Sequence, residues 1–236
     1  MDDGKNIMNF PLFLYYSLSS TMDQARTLIG QGQLSGLVVA YTQTQGHGRF
    51  NRPWISPEGN FYGTFFLKRP QIEGALSLHV AAHLFKKLEP YSGGLLKFKW
   101  PNDLLLGGAK VSGILLERMD DFLLVGMGIN LKSSPQNIDQ PTACLFDDPG
   151  ITIELAQFCD VIKAGFLESL NAPFSTVRDF CLGRMWGLNS PCRVKISASE
   201  TVEGICKGID PTGALLVEVE GGQIKTIRAG DLEFDL

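Results

Sequence analysis

Lys99-Trp100-Pro101-Asn102-Asp103 closes a run of alternating residues, LLKFKW, and Lys110 follows Asp103 seven positions later, with Gly113 just beyond. A strand that stops at a turn holding Lys, Asn and Asp sets polar groups at the rim of a sheet, where open sheets bind ligands. Lys110 lies in the apolar context AKVSGIL. Its ammonium is therefore either a solvated strand-edge group or a buried one that must face an anion. Upstream, Gly46-His47-Gly48-Arg49 precedes Arg52 and Trp54 in a stretch without helical or strand periodicity. It holds only half of a dinucleotide fingerprint, and it follows a strand pattern without opening a helix. Glycines alternating with cationic or polar side chains suit an anion cradle better. Backbone N–H groups can approach the anion, Arg49 supplies a planar charged fork, and Trp54 offers a face for a base. A solvated surface loop is the competing reading. In Gly126-Met127-Gly128-Ile129-Asn130, two glycines inside a strand pattern mark a bulge or a close backbone approach, and Asn130 either bonds a ligand or caps a turn. His79 and His83 have the spacing of a metal pair, but HVAAH lacks the glutamate of HExxH and a third ligand, so they read as structural helix histidines and no metal site is assigned.

These groups need elements to hold them. Ser20-Thr21-Met22-Asp23-Gln24 starts a helix with two capping-box pairings, Ser20 with Asp23 or Thr21 with Gln24, and the helix ends near Gly30 or Gly32. Residues 36–43, 60–67, 95–100, 111–117 and 122–131 read as strands, the last two joined across Arg118–Asp121. Helical spacing marks 76–89, 153–170 and 174–186. This is an α+β pattern: a mixed central sheet of about five strands with helices packed on it. After Pro191 the texture changes to four short β patterns, PCRVKI, TVEGICKGI, ALLVEV and QIKTIRA, with turns at Asp210-Pro211-Thr212-Gly213 and Gly221-Gly222. That spacing predicts a small barrel. The predicted division is a catalytic domain over 1–188 and a barrel over 189–236.

A net charge of −4 gives a field that repels nucleic acid and anionic membrane, so any anionic ligand must be held by a local positive cluster. Five scattered cysteines without a CxxC pair suggest reduced thiols of a cytoplasmic protein. The N-terminus lacks an apolar signal segment, and no run approaches the length of a membrane span.

Taken in order, Ser20-Thr21, Gln43, the Gly46–Trp54 loop, KWPND, Lys110 with Gly113-Ile114-Leu115-x-Glu117, GMGIN, Thr142-Ala143-Cys144-Leu145 and GIDPTGALLVEV resemble the biotin protein ligases (biotin–[acetyl-CoA-carboxylase] ligases). The resemblance spans nearly the whole chain and is to the monofunctional type, because only about nineteen residues precede Ser20, too few for the DNA-binding domain of repressor members. It implies a class II synthetase-like biotin–lipoate ligase core with an SH3-like C-terminal barrel. The implied enzyme uses ATP, Mg²⁺ and biotin to make biotinyl-5′-AMP, then passes biotin to a lysine of a biotin carboxyl carrier domain. DNA and membrane are not implied as partners, and an exposed strand edge could serve a homodimer. Implied catalytic residues are Lys110, Arg49 and Asp103, the last orienting or deprotonating the carrier lysine. Biotin would meet Ser20, Thr21, Met22, Gln43, Gly46, His47, Gly48, Arg49, Lys110 and Gly113. The nucleotide would meet Arg49, Arg52, Trp54, Lys99, Asn102, Lys110, Asn130 and Thr142. The loop is expected to stay open until ligands arrive and then fold over the acyl-adenylate.

His47 departs from the arginine usual in that loop and would clamp phosphate less well. Met22 and Gln45 replace the common asparagine and alanine. Two other readings are weighed. A lipoate ligase or octanoyltransferase resembles the same core but does not usually carry KWPND or this C-terminal unit. A non-catalytic biotin or adenylate sink is disfavoured by Lys110 and Arg49.

Overall fold

The computed structural model describes residues 10–68, 75–136, 140–148 and 154–234. The acidic N-terminal run and residue 153, where a helix was expected to begin, lie outside them. Seven strands form the main sheet: β1 (Leu12–Leu18), β2 (Ser35–Gln43), β3 (Phe61–Lys68), β4 (Leu96–Lys99), β5 (Asp103–Leu106), β6 (Ala109–Met119) and β7 (Phe122–Ile129). Their order is β1-β2-β3-β7-β6-β5-β4, with β1 parallel to β2 and every other pair antiparallel.

The central strands are apolar at successive residues because both faces of the sheet are covered. Leu37, Val39, Phe65 and Val125 point to one face, under α2 (Leu76–Leu88), α3 (Leu155–Lys163), α4 (Phe166–Leu170) and α5 (Phe174–Leu182). Their neighbours Val38, Phe66 and Leu124 point to the other, where α1 (Thr21–Gly30) buries Met22, Ala25 and Leu28. Ser20 caps α1, its hydroxyl oxygen accepting from the Met22 amide at 3.2 Å. The two acceptor side chains of the expected capping boxes turn elsewhere: Asp23 to Arg26, and Gln24 to the Tyr15 hydroxyl.

Two strands exceed the five expected. β1 is a half-exposed edge strand with no clean alternation, and β5 is only four residues long. The helix expected over 153–170 is broken at Gly165, whose φ of 75° favours glycine. β6 and β7 form the expected hairpin, with a two-residue turn whose first member, Asp120, has φ 49°. His79 and His83 donate to the carbonyls of Ser169 and Ile162 at 2.9 and 2.8 Å, tying α2 to α4 and α3. Burial lowers the His83 pKa to about 4.

The C-terminal region has five strands, one more than expected: β8 (Pro191–Lys195), β9 (Thr201–Ile209), β10 (Leu215–Glu218), β11 (Ile224–Ile227) and β12 (Asp231–Phe234). They pair in the order β11-β10-β9-β8-β12, an antiparallel sheet that no pairing among the described residues closes into a barrel. Its inner residues Val194, Leu215 and Val217 belong to the same apolar cluster as Leu78 and Val177 of the N-terminal part. The Trp100 indole N–H donates to Gly213 O at 3.0 Å. These contacts bring Gly230 and Asp231 to the rim of the main sheet.

Candidate active site

A cleft open to solvent lies beside β5, β6 and β7, roofed by the loop between β2 and β3. Its floor is a gap in the side-chain layer. Gly113 and Gly128 face each other on β6 and β7, and the Trp54 indole lies on them. A Cβ at Gly128 would stand 2.4 Å from that ring, and one at Gly113 3.1 Å. The glycines flagged in the strand pattern are thus explained by close approach.

Lys110 reaches this floor through a break in the pleat. β5 pairs Leu104 with Ser112 but Leu105 with Lys110, leaving Val111 as an extra residue. Strict alternation would put positions 110 and 113 on opposite faces; the bulge puts them on one. The Lys110 ammonium then sits 2.9 Å from Asp103 Oδ2 and 5.4 Å from the centre of the Trp54 ring. Asp103 Oδ1 is buried and has no hydrogen-bond partner among the described residues.

One end of the cleft is lined with neutral polar groups. The Thr21 amide and hydroxyl donate to Gln43 Oε1 at 2.8 and 3.1 Å, and Thr64 donates to the Thr21 hydroxyl at 2.9 Å. Gln43 Nε2 donates to the Ser56 hydroxyl at 3.1 Å, which donates to Trp54 O at 2.8 Å. The chain of bonds leaves each acceptor fixed in direction. Ser20 stands beside it, and Met22 packs against Gly126.

The other end is cationic. Arg49 donates to Asn102 Oδ1 at 3.3 Å and to Gly230 O at 3.2 Å, and its guanidinium is 3.7 Å from Asp231. Arg52 pairs with the other oxygen of Asp231. The loop that carries both arginines is folded back rather than open. Trp54 N donates to Gly46 O, Gly48 N donates to Arg52 O, both at 2.8 Å, and His47 bridges Pro53. These bonds, with the pairs to Asp231, hold it over the cleft.

Ser20, Thr21, Met22 and Gln43, then His47, Gly48, Arg49 and Arg52, and finally Trp54, Asn102, Asp103, Lys110 and Gly113 all line the cleft as the sequence suggests. Four others do not. Gly46 lies at the loop neck, where a Cβ would be 2.6 Å from Trp54 O, so it serves loop packing. Lys99 is the cross-strand partner of Asp103 without lining the cleft, and burial lowers its pKa. Thr142 belongs to a strap along β6, bracketed by Lys110 N→Pro141 O at 2.8 Å and Ala143 N→Lys110 O at 3.0 Å. Asn130 is fully buried and donates to Ala143 O at 3.1 Å and Lys110 O at 3.4 Å, while its Oδ1 has no partner among the described residues. Lining residues not anticipated include Leu115, Met127, Gln140 and Asp231. Met127 falls within the glycine-flanked run already singled out; Asp231, in GDLEF, carries no local signal.

An ammonium, two guanidiniums and an aromatic slab around a glycine floor, next to a neutral hydrogen-bonding pocket, are the tools for joining a small acid to a nucleotide phosphate. The comparisons with known proteins agree with that class: the chain belongs to the biotin/lipoate A/B protein ligase family, whose sequence profile matches residues 14–132. Within that family it is a ligase of the biotin type, for the profile of the biotin protein ligase C terminal domain matches residues 187–235. It is 32% identical over 222 residues to the biotin–[acetyl-CoA-carboxylase] ligase of Paracoccus denitrificans, covering 85% of this chain and 90% of that one. It is 30% identical to the bifunctional ligase/repressor BirA of Bacillus subtilis, covering 96% of this chain and 75% of that protein. The structure superposes with a TM-score of 0.83 on a biotin protein ligase from Aquifex aeolicus solved in complex with biotin and ATP, at 26% identity, covering 95% of this chain and 99% of that one. No described helix is long and apolar enough to cross a membrane.

Proposed function

We propose that this chain activates biotin with ATP and transfers it to a lysine of a biotin carboxyl carrier domain. The observation that carries the reading is the placement of Lys110 at the junction of the two ends of the cleft, 2.9 Å from Asp103 and above the glycine floor. In the first step a biotin carboxylate oxygen bonds to the α-phosphorus of ATP and pyrophosphate leaves. Negative charge gathers on the phosphoryl oxygens, where Lys110 and Arg49 stabilise it. In the second step the carrier lysine amine bonds to the acyl carbon, AMP leaves, and Asp103 accepts or steers the amine proton.

The neutral end suits the uncharged ring system of biotin, with Ser20, Thr21 and Gln43 supplying directional bonds and Met22 an apolar wall. The cationic end suits the nucleotide phosphates. Trp54 and Asn102 flank the space for the base, and Asn130, buried outside the cleft, holds the 141–143 strap against β6 through Ala143 O and Lys110 O. Mg²⁺ enters with the nucleotide's phosphates: Asp103 is already paired with Lys110 and Asp231 with two arginines, so no residue is assigned to the ion. The division at residues 188/189 fits this reading, with the C-terminal unit lending Gly230 and Asp231 to the loop.

Purified chain should release pyrophosphate only when biotin and ATP are both present, and should label a carrier domain. Pyrophosphate release with lipoate or octanoate in place of biotin, or none with any acid, would overturn the assignment.

A further inference from the structure

Glu117 stands on β6 two residues past Leu115, which lines the cleft. It meets basic side chains from α1 and from the loop. Its Oε2 accepts from Arg26 of α1, and its Oε1 lies 3.9 Å from His47 Nε2 in the loop. Arg26 is held in turn by Asp23 Oδ1 at 2.5 Å. His47 Nδ1 is 3.3 Å from Gln45 O, which can only accept, so Nδ1 carries hydrogen. That leaves Nε2 facing the carboxylate. The result is a chain of side-chain contacts, Asp23–Arg26–Glu117–His47, running from the helix that presents Thr21 to the neck of the loop that presents Arg49. Its members are partly exposed, and partly exposed ion pairs are weak, which suits a contact that must close and release.

We propose that Arg26 and Glu117 form a catch for His47 that sets how long the 43–56 loop stays folded over the cleft. Glu117 and Arg26 are then positioning residues for Arg49 and Trp54, and His47 is the movable half of the catch. That closure also shields an acyl-adenylate from water rests on the ligase reading; the catch itself does not.

Chymotryptic cleavage after Phe50, exposed at the loop tip, reads loop opening with no biotin or ATP present. Glu117→Gln and Arg26→Gln should each speed that cut by about fivefold. His47→Arg, which makes the cation permanent, should slow it, and adding Glu117→Gln should erase the gain. A slower cut cannot come from misfolding, so the arginine variant keeps the test decisive. Equal cleavage rates for the parent, Glu117→Gln and His47→Arg chains would overturn the catch and leave the ligase reading untouched. A second readout is coupling. Glu117→Gln should raise the pyrophosphate released per carrier lysine biotinylated, and His47→Arg should lower it; a ratio unmoved in both variants counts against the catch.

Discussion

The two ends of the cleft are built on opposite terms. At the neutral end the bonds that line up Thr21 join groups on rigid elements: Thr21 on α1, Gln43 at the end of β2, Thr64 on β3. At the cationic end the contacts are ion pairs thrown from a loop across to another sheet, Arg49 and Arg52 onto Asp231. Neutral hydrogen bonds depend on angle and so need a fixed frame. Ion pairs act over distance and tolerate movement, which lets a loop carry them. A substrate with an uncharged ring at one end and a phosphate partner at the other needs one of each.

The largest effect should come where the ends meet. Lys110→Ala is expected to lower biotin-dependent pyrophosphate release by about 10²–10³-fold with the fold intact, as measured by pyrophosphate assay beside a thermal melt. Near-parent turnover would break the assignment of charge stabilisation to that ammonium. Acid should act on the frame behind the two ends. The His83 ring takes up its proton near pH 6.5 in the unfolded chain and near 4 in the folded one. Stability from this group is therefore complete above about pH 6.5, falls through the window and levels off below about 4, a loss of at most about 3 kcal/mol. Denaturant titrations of the parent and His83→Gln across that window would show it, the variant having the flatter profile.

Thr21→Val probes the neutral end. It removes both bonds of the Thr21 hydroxyl, the one it donates to Gln43 and the one it accepts from Thr64, and should raise the KM for biotin by about tenfold while moving kcat little. A change in kcat alone would mean that this end shapes the reaction step rather than ground-state binding. The smallest effect is expected at Asp231→Asn, about two- to threefold in the KM for ATP, with a weaker dependence on salt than in the parent. If the two substitutions gave the same salt response, the contrast between the ends would fail.

Where local chemistry decides an element, residue order was enough to find it. Ser20 caps α1, the two-residue turn at Asp120 joins β6 to β7, and Gly126 and Gly128 announce a close approach. β1 escaped because an edge strand paired on one side has no clean alternation to display. The lining role of Asp231 escaped because it depends on how the C-terminal sheet docks, a long-range result with no local mark. Gly46, Lys99, Asn130 and Thr142 were found by motif, yet none lines the cleft: the first packs the loop neck and the others support residues that do. A motif reports that a residue matters, not which layer it occupies.

The extra residue at Val111 has a consequence of parity. A pleated ribbon counts in twos, and the ammonium faces the cleft only because the count is odd there. Deleting Val111 would restore an even ladder with every hydrophobic residue type still present. The result would be a chain of nearly unchanged composition whose lysine faces the wrong side, so length in this segment matters as much as identity.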